Sequence, residues 1–277
     1  MNRKIVLSIG NYLRPVYLGA LCCILLSYSC NKNEGAADPS KVKDEEVPIP
    51  AAAALVPATI KSQNLLTTFK YEAETNRLTE LVQSDGWVTK FFYRPNGSLM
   101  EQEHYKNNKL QLQAGHALNK EGLLDKMVLF NHDGSSNGSY SFVLDEEKRI
   151  TKINKYDAKS KLLEEQNISY NSLGNITKTL TTNNGKTTTM SSTYDDRPGT
   201  YRNIPYFQLL FLVQPQQQSG TIFSNSNPLR MDYLPIGIAS TAYTYEYNSN
   251  GYPTSVEMTQ GSLKETFKLT YKTIKPK

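Results

Sequence analysis

Tyr93-Arg94-Pro95-Asn96-Gly97-Ser98-Leu99 decides the fold, because its pattern returns along the chain. An aromatic residue or Leu is followed by three residues, a turn residue, one more residue, and then Leu or Ile. Leu118 to Leu124 repeats this with Gly122 at the turn. Leu144 to Ile150 does so with Lys148, Tyr170 to Ile176 with Gly174, and Tyr247 to Pro253 with Gly251. Tyr71 to Leu78 is a copy one residue longer, and Tyr194 and Tyr271 fall on the same lattice. The anchors lie at 71, 93, 118, 144, 170, 194, 247 and 271. Successive steps are 22 to 26 residues, except for one of 53 that reads as two units around an irregular insert.

Most units carry a second turn signal near their middle: Asp85-Gly86, Asn107-Asn108, Asn131 to Gly138, Asn183-Asn184-Gly185 and Gly261. Gly and Asn supply the positive φ that tight hairpin turns require. Between turns the side chains alternate. Trp87, Thr89, Phe91 and Tyr93 share one face against Lys90 and Arg94. Tyr243, Tyr245 and Tyr247 alternate with Thr244 and Glu246, and Phe267, Leu269 and Tyr271 with Lys268, Thr270 and Lys272. A period of two with one apolar face means strands packed on one side. Each unit is then a hairpin, with leading Tyr and following Leu packed near each other across it.

Seven or so such units predict an all-β domain, an antiparallel up-and-down meander of about 14 strands. Open twisted sheets rarely exceed about 10 strands without curling. A barrel or half-barrel is therefore expected, with one irregular or helical insert at about 198–239. Tyr206 to Val213 is the apolar core of that insert, bounded by Pro205 and Pro215. It is expected to cap or fill the barrel, or else to cover a sheet face from outside.

The N-terminus has a different character. Arg3, Lys4 and Arg14 precede an apolar run from Val16 to Leu26, and Ser27-Tyr28-Ser29 leads to Cys30. Charged, apolar and small-residue regions in that order make a secretory signal, predicted over 1–29. The run is shorter than the roughly 20 residues of a membrane-crossing helix, and Arg14-Pro15 interrupts any longer one. Cys22 and Cys23 fall inside the signal, so Cys30 is the one cysteine of the mature chain, and no disulfide supports it. Residues 30–60 read as a flexible tether, with Pro39, Pro48, Pro50 and Pro57 and a mixed charged run Lys41 to Glu46. It would span roughly 30 Å as a relaxed coil. Residues 61–277 read as one domain.

Leu26 and Ser29-Cys30 resemble the lipobox of bacterial lipoproteins, with Leu26 one place further back than usual. That resemblance implies acylation (palmitate) on Cys30 and cleavage before it. Asn31 in place of Asp favours an outer-membrane or cell-surface destination, with the periplasmic face as the other placement. The repeat resembles the tyrosine-aspartate (YD) repeats of the Rhs family, most closely at Tyr156-Asp157 and Tyr170-Asn171-Ser172-Leu173-Gly174-Asn175-Ile176. Residues 64–272 are also similar to a family of uncharacterised bacterial lipoproteins, a domain of unknown function with a porin-like fold. The matching features are Tyr194-Asp195-Asp196, Ser226-Asn227-Pro228 and the stretch Tyr243 to Thr254. This resemblance implies a fold and an anchor but no activity.

Charge and motifs narrow the function. The whole chain carries +5, and loss of 1–29 removes three of those charges, leaving +2 without any basic cluster. Nucleic acid is therefore excluded as a partner. His104, His116 and His132 lie on separate units without ligand spacing, and no nucleotide or hydrolase motif occurs. Asp195-Asp196 and Asp145-Glu146-Glu147 read as solvated turn acids, since Ca²⁺ needs six to eight oxygen ligands. No metal, cofactor or catalytic residue is assigned, and the chain reads as a non-enzyme. Frequent charges on the strands, the lipid anchor and the ending Lys275-Pro276-Lys277 argue against a membrane-spanning barrel. The expected function is a lipid-anchored binding or scaffold module for a glycan, a peptide or an envelope protein, with Trp87 as the candidate ligand contact. The alternatives are an envelope structural protein and, behind it, a hydrolase.

Overall fold

The computed structural model describes residues 54–204, 209, 212–213, 224–235, 237 and 239–274. The predicted signal 1–29, Cys30 and the tether as far as residue 53 lie outside the described residues. Sixteen strands follow in order: β1 (Leu55–Lys61), β2 (Leu66–Tyr71), β3 (Leu78–Gln83), β4 (Trp87–Tyr93), β5 (Leu99–Lys106), β6 (Lys109–Leu118), β7 (Leu124–Asn131) and β8 (Ser136–Leu144). The second half comprises β9 (Ile150–Tyr156), β10 (Leu162–Tyr170), β11 (Ile176–Asn183), β12 (Lys186–Pro198), β13 (Ser226–Leu234), β14 (Thr241–Tyr247), β15 (Pro253–Gln260) and β16 (Leu263–Thr273). Each strand pairs antiparallel with its sequence neighbours, and β1 pairs with β16, so the sheet is a closed barrel. Ile60 faces Leu269 across the closing seam.

The expected meander is present, with two more strands than expected, and both lie where proline obscured them. β1 begins at Leu55, so the last residues of the predicted tether 30–60 are a strand. Pro57 falls at a register shift against β16. Proline has no N–H to give a ladder, and an irregularity is where a strand tolerates it. β13 occupies part of the predicted insert 198–239, and its Pro228 likewise lies at a register shift, opposite Tyr194. Between β12 and β13 the described residues of the insert are 199–204, 209, 212–213 and 224–225.

Alternation sorts the strands into a core-facing and a water-facing set. Inside, Ile60, Phe69, Leu81, Phe91, Met258 and Phe267 form one buried cluster with Tyr201 and Ile204 of the insert. Ala114, Met127, Leu129, Phe142 and Ile153 form a second with Leu209 and Val213 of the insert. The described insert residues Tyr201, Ile204, Leu209 and Val213 thus pack inside the barrel, in line with the expectation that the insert caps or fills it. Phe207, Leu210 and Phe211 lie outside the described residues. Burying each large apolar side chain contributes about 1.5–3 kcal/mol.

The outer wall carries charges along its strands. Lys70 Nζ lies 2.7 Å from Glu80 Oε2, Lys152 Nζ 2.7 Å from Glu165 Oε2, and Lys264 Nζ 2.8 Å from Glu257 Oε1. A lipid-facing barrel wall is apolar outside, and each Lys at mid-bilayer costs about 2–4 kcal/mol. This barrel has the opposite polarity, an apolar interior inside a wall suited to water.

Candidate functional site

The repeat anchors converge at one end of the barrel. Turns after the even-numbered strands gather there, and so does the chain at Ala54 leading into β1. Each anchor lies at or near the end of an even strand and on its core-facing set, so the eight form a ring: Tyr71, Tyr93, Leu118, Leu144, Tyr170, Tyr194, Tyr247 and Tyr271. Six are Tyr. The two Leu are neighbours in the ring.

Four of the six Tyr hydroxyls tie adjacent strands together. Tyr71 donates to the Pro57 carbonyl at 2.8 Å, Tyr93 to Leu78 at 2.8 Å, Tyr170 to Ile150 at 2.7 Å and Tyr194 to Ile176 at 2.7 Å. In the last three, the acceptor is the Leu or Ile that closes the preceding repeat. Burial raises the Tyr93 phenol to about 12, so it remains a donor throughout the physiological range. In the β13–β14 hairpin Tyr245 takes this part, reaching the Pro228 carbonyl at 2.6 Å. Tyr247 instead donates to the Asp195 carboxylate.

Leu118 and Leu144 have no hydroxyl to offer to Leu99 and Leu124, the equivalent carbonyls. Arg94 serves the first of these, with Nη1 2.8 Å from the Leu99 oxygen, and also donates through Nη2 to the His116 carbonyl. Beside the two Leu the ring opens into a cavity of about 320 Å³. Its walls are Leu99, Leu118, Leu124, Leu144, Ile150 and Leu209 of the insert, and its polar lining includes His116, Lys148, Arg149 and Tyr170. Among the described residues, no Asp or Glu lines it. Arg149 is neutralised by Asp145 at 2.7 Å and Glu147 at 3.2 Å, and stacks over the Tyr170 ring at 4.9 Å. Lys148 is exposed and holds φ at 62°, where Gly97, Gly122, Gly174 and Gly251 hold 75° to 88° in the sister turns.

A polar strip runs from the cavity along the inner wall of β4 to β6. Thr89 Oγ1 lies 3.1 Å from His104 Nδ1, and Gln102 Nε2 lies 3.1 Å from His116 Nε2 and 3.4 Å from the Leu209 carbonyl. Gln102 Oε1, His104 Nε2 and His116 Nδ1 are buried with no partner. Burial holds both imidazoles neutral, lowering each to about 4, and the Arg94 guanidinium adds to this at His116. Glu101 and Glu103 face outward between these residues, but Leu99 is also buried, so the alternation breaks where β5 shifts register against Tyr93 and a parity counted from Leu99 misplaces Gln102 and His104. No metal-ligand spacing marks them in the sequence.

The other sequence candidates lie elsewhere. Trp87 starts β4 at the opposite end, half-buried, with Lys106 Nζ 5.2 Å from its ring centre. The structure therefore does not bring it to the cavity. Asp195 is a strut: its carboxylate accepts the Asn227 backbone N–H at 2.9 Å and the Asn227 side-chain amide at 3.1 Å. His132 is exposed in the turn after β7. Among the described residues no three His, Cys, Asp or Glu side chains gather as a metal site.

No protein-family model matches the chain. No curated protein matches it either. The solved structures do. A porin-like protein from Bacteroides uniformis, 13% identical, superposes over 80% of this chain and 98% of its own with a TM-score of 0.56. A porin-like protein from Bacteroides vulgatus, 10% identical, covers 79% of this chain and 99% of its own at 0.49. The first similarity establishes a shared porin-like barrel fold.

Proposed function

We propose that this chain is a lipid-anchored protein of the outer membrane that binds a small molecule at the open side of its tyrosine ring. Cys30 carries the lipid, the following residues tether the barrel, and the charged wall stands in water at the cell surface or the periplasmic face. The observation that supports binding is the cavity itself. Two adjacent ring positions lack the Tyr that fills the others, and the space is lined by apolar side chains and unmatched donors. Sites of about 300–1,000 Å³ with apolar walls and a few placed polar groups are the usual form of small-molecule pockets. This reading makes the chain a binding protein, not an enzyme. The Rhs-like repeat is read as the structural device that builds the ring.

The experiment is solvent extraction of the protein purified from its native membrane, followed by mass spectrometry. A small molecule recovered in stoichiometric amount, and absent from Leu144→Tyr protein, is the expected result. Radioactive palmitate incorporation should be lost in Cys30→Ser. One observation favours the structural alternative: Phe92, Met100, Val143, Leu173 and Leu229 are exposed near the same end. Recovery of a stoichiometric envelope protein, with no small molecule, would decide for that alternative.

A further inference from the structure

Of the residues lining the cavity, His116 carries the buried polar atom without a partner, Nδ1; the other unmatched atom beside it, the acceptor Gln102 Oε1, belongs to a residue that does not line the cavity. Gln102 presents its amide nitrogen to two acceptors, the Leu209 carbonyl and His116 Nε2. A neutral imidazole that accepts at Nε2 carries its proton on Nδ1. His116 Nδ1–H is therefore a donor sealed from water, on a residue that is only 4% exposed and lines the cavity, with no acceptor among the described residues. Buried donors of this kind are few in native proteins and call for an acceptor from elsewhere.

Charge points the same way. Arg94 binds the carbonyls of Leu99 and His116 behind the cavity wall, and no carboxylate pairs with it among the described residues. Lys148 borders the cavity in a left-handed conformation that favours the glycine of its sister turns. Backbone strain of this sort collects at functional sites. Arg149 is already matched by Asp145 and Glu147, so Lys148 is the charged lining residue without an ion pair among the described residues, while the carboxylates of Glu121 and Glu146 stand exposed in the flanking turns.

We propose that the cavity takes a small carboxylic acid with an apolar body, its body lying against Leu118, Leu124, Leu144 and Ile150 and its carboxylate accepting the His116 Nδ1–H, which a small shift of the buried imidazole opens to the cavity. Lys148 and Arg94 supply the positive potential that keeps the acid ionised on binding. A body of about ten carbons suits a cavity at the small end of the usual range. The proposal deepens the binding reading above and rests on it.

The test uses the full chain carrying Cys30→Ser, so that no acyl group of its own competes. Decanoate, decanol and decyltrimethylammonium present one apolar body with a negative, a neutral and a positive head. Isothermal titration at neutral pH should show decanoate binding at least about tenfold more tightly than the other two. A hydrogen bond to an ionised group sets the expected loss in His116→Phe at roughly ten- to a hundredfold for decanoate. The loss for decanol should be smaller. Should that variant fail to fold, as seen by circular dichroism, Lys148→Gln carries the test: decanoate weakens and its salt dependence shrinks, while decanol is unchanged. Leu144→Tyr should abolish binding of all three. Equal affinity for the three heads would overturn the carboxylate proposal and leave the binding reading standing. Binding of none of them would overturn the proposal, and, if mass spectrometry also recovers no small molecule from the native protein, the binding reading with it.

Discussion

Replacing Leu144 by Tyr should make the barrel more stable. The ring position already has the geometry that places Tyr170 and Tyr194 within 2.7 Å of their carbonyls. A Tyr at 144 would find the Leu124 carbonyl at the equivalent place and open space where its ring must go. The new hydrogen bond contributes about 1 kcal/mol net. The larger side chain fills roughly 25 Å³ more, which at about 24 cal/mol per Å³ of cavity adds about 0.6 kcal/mol. Together these give about 1.5 kcal/mol, or a rise near 0.5 M in the urea midpoint for a domain with a slope of about 3 kcal/mol/M. The single Trp, Trp87, lies on β4 and reports unfolding by its fluorescence. Leu118→Tyr is the internal comparison, because Arg94 already serves its carbonyl. It should gain less, or lose. A midpoint that falls in Leu144→Tyr, or rises equally in both variants, would refute the idea that two missing hydroxyls define the cavity.

Other outcomes follow from the same geometry. Tyr93→Phe and Tyr170→Phe each remove one hydroxyl-to-carbonyl bond and should cost about 1 kcal/mol, measured by urea unfolding. Lys148→Gly relieves a left-handed backbone and should stabilise by about 1 kcal/mol in the same assay. His104 and His116 are held near 4 in the folded barrel, against an unfolded value of 6.5. The unfolded chain therefore binds more protons between those values, so stability falls as pH drops from about 6.5 to about 4 and is unaffected above 6.5 by these groups. The full effect is on the order of 3 kcal/mol for each. Unfolding of the His104→Phe, His116→Phe double variant across this range should be flatter than that of the parent.

Much of the fold was legible. Period-two alternation gave the strand faces, and the Tyr spacing gave the hairpins, because both are local and repeat many times. The two missed strands were local exceptions. Pro57 and Pro228 argue against strands until the partner shows a register shift in which no N–H is required. The cavity was harder to see, because it is a substitution within the repeat. Leu118 and Leu144 fit an apolar anchor as well as Tyr does, and only the closed ring shows that they are neighbours facing one space. His116 was visible as a core-facing position, since Ala114 and Leu118 share its face. Its unmatched proton depends on Gln102 and the Leu209 carbonyl, 107 residues apart in sequence, and no pattern within β6 reports that.

The single seam between β1 and β16 also governs how the chain is made. Fifteen of the sixteen strand pairings join neighbours in sequence, and these form hairpin by hairpin as the polypeptide lengthens. The sixteenth joins residues as far apart as Thr59 and Thr270. Contacts so distant form slowly, because the loop must close before they contribute. During synthesis the molecule is thus an open ribbon whose leading edge, at β1, waits for the last residues to arrive. Until then it presents bare backbone donors and acceptors to any other strand, a state prone to sticking. A chain cut short by one hairpin would remain in that state permanently, which ties safe folding to completion of the last strand.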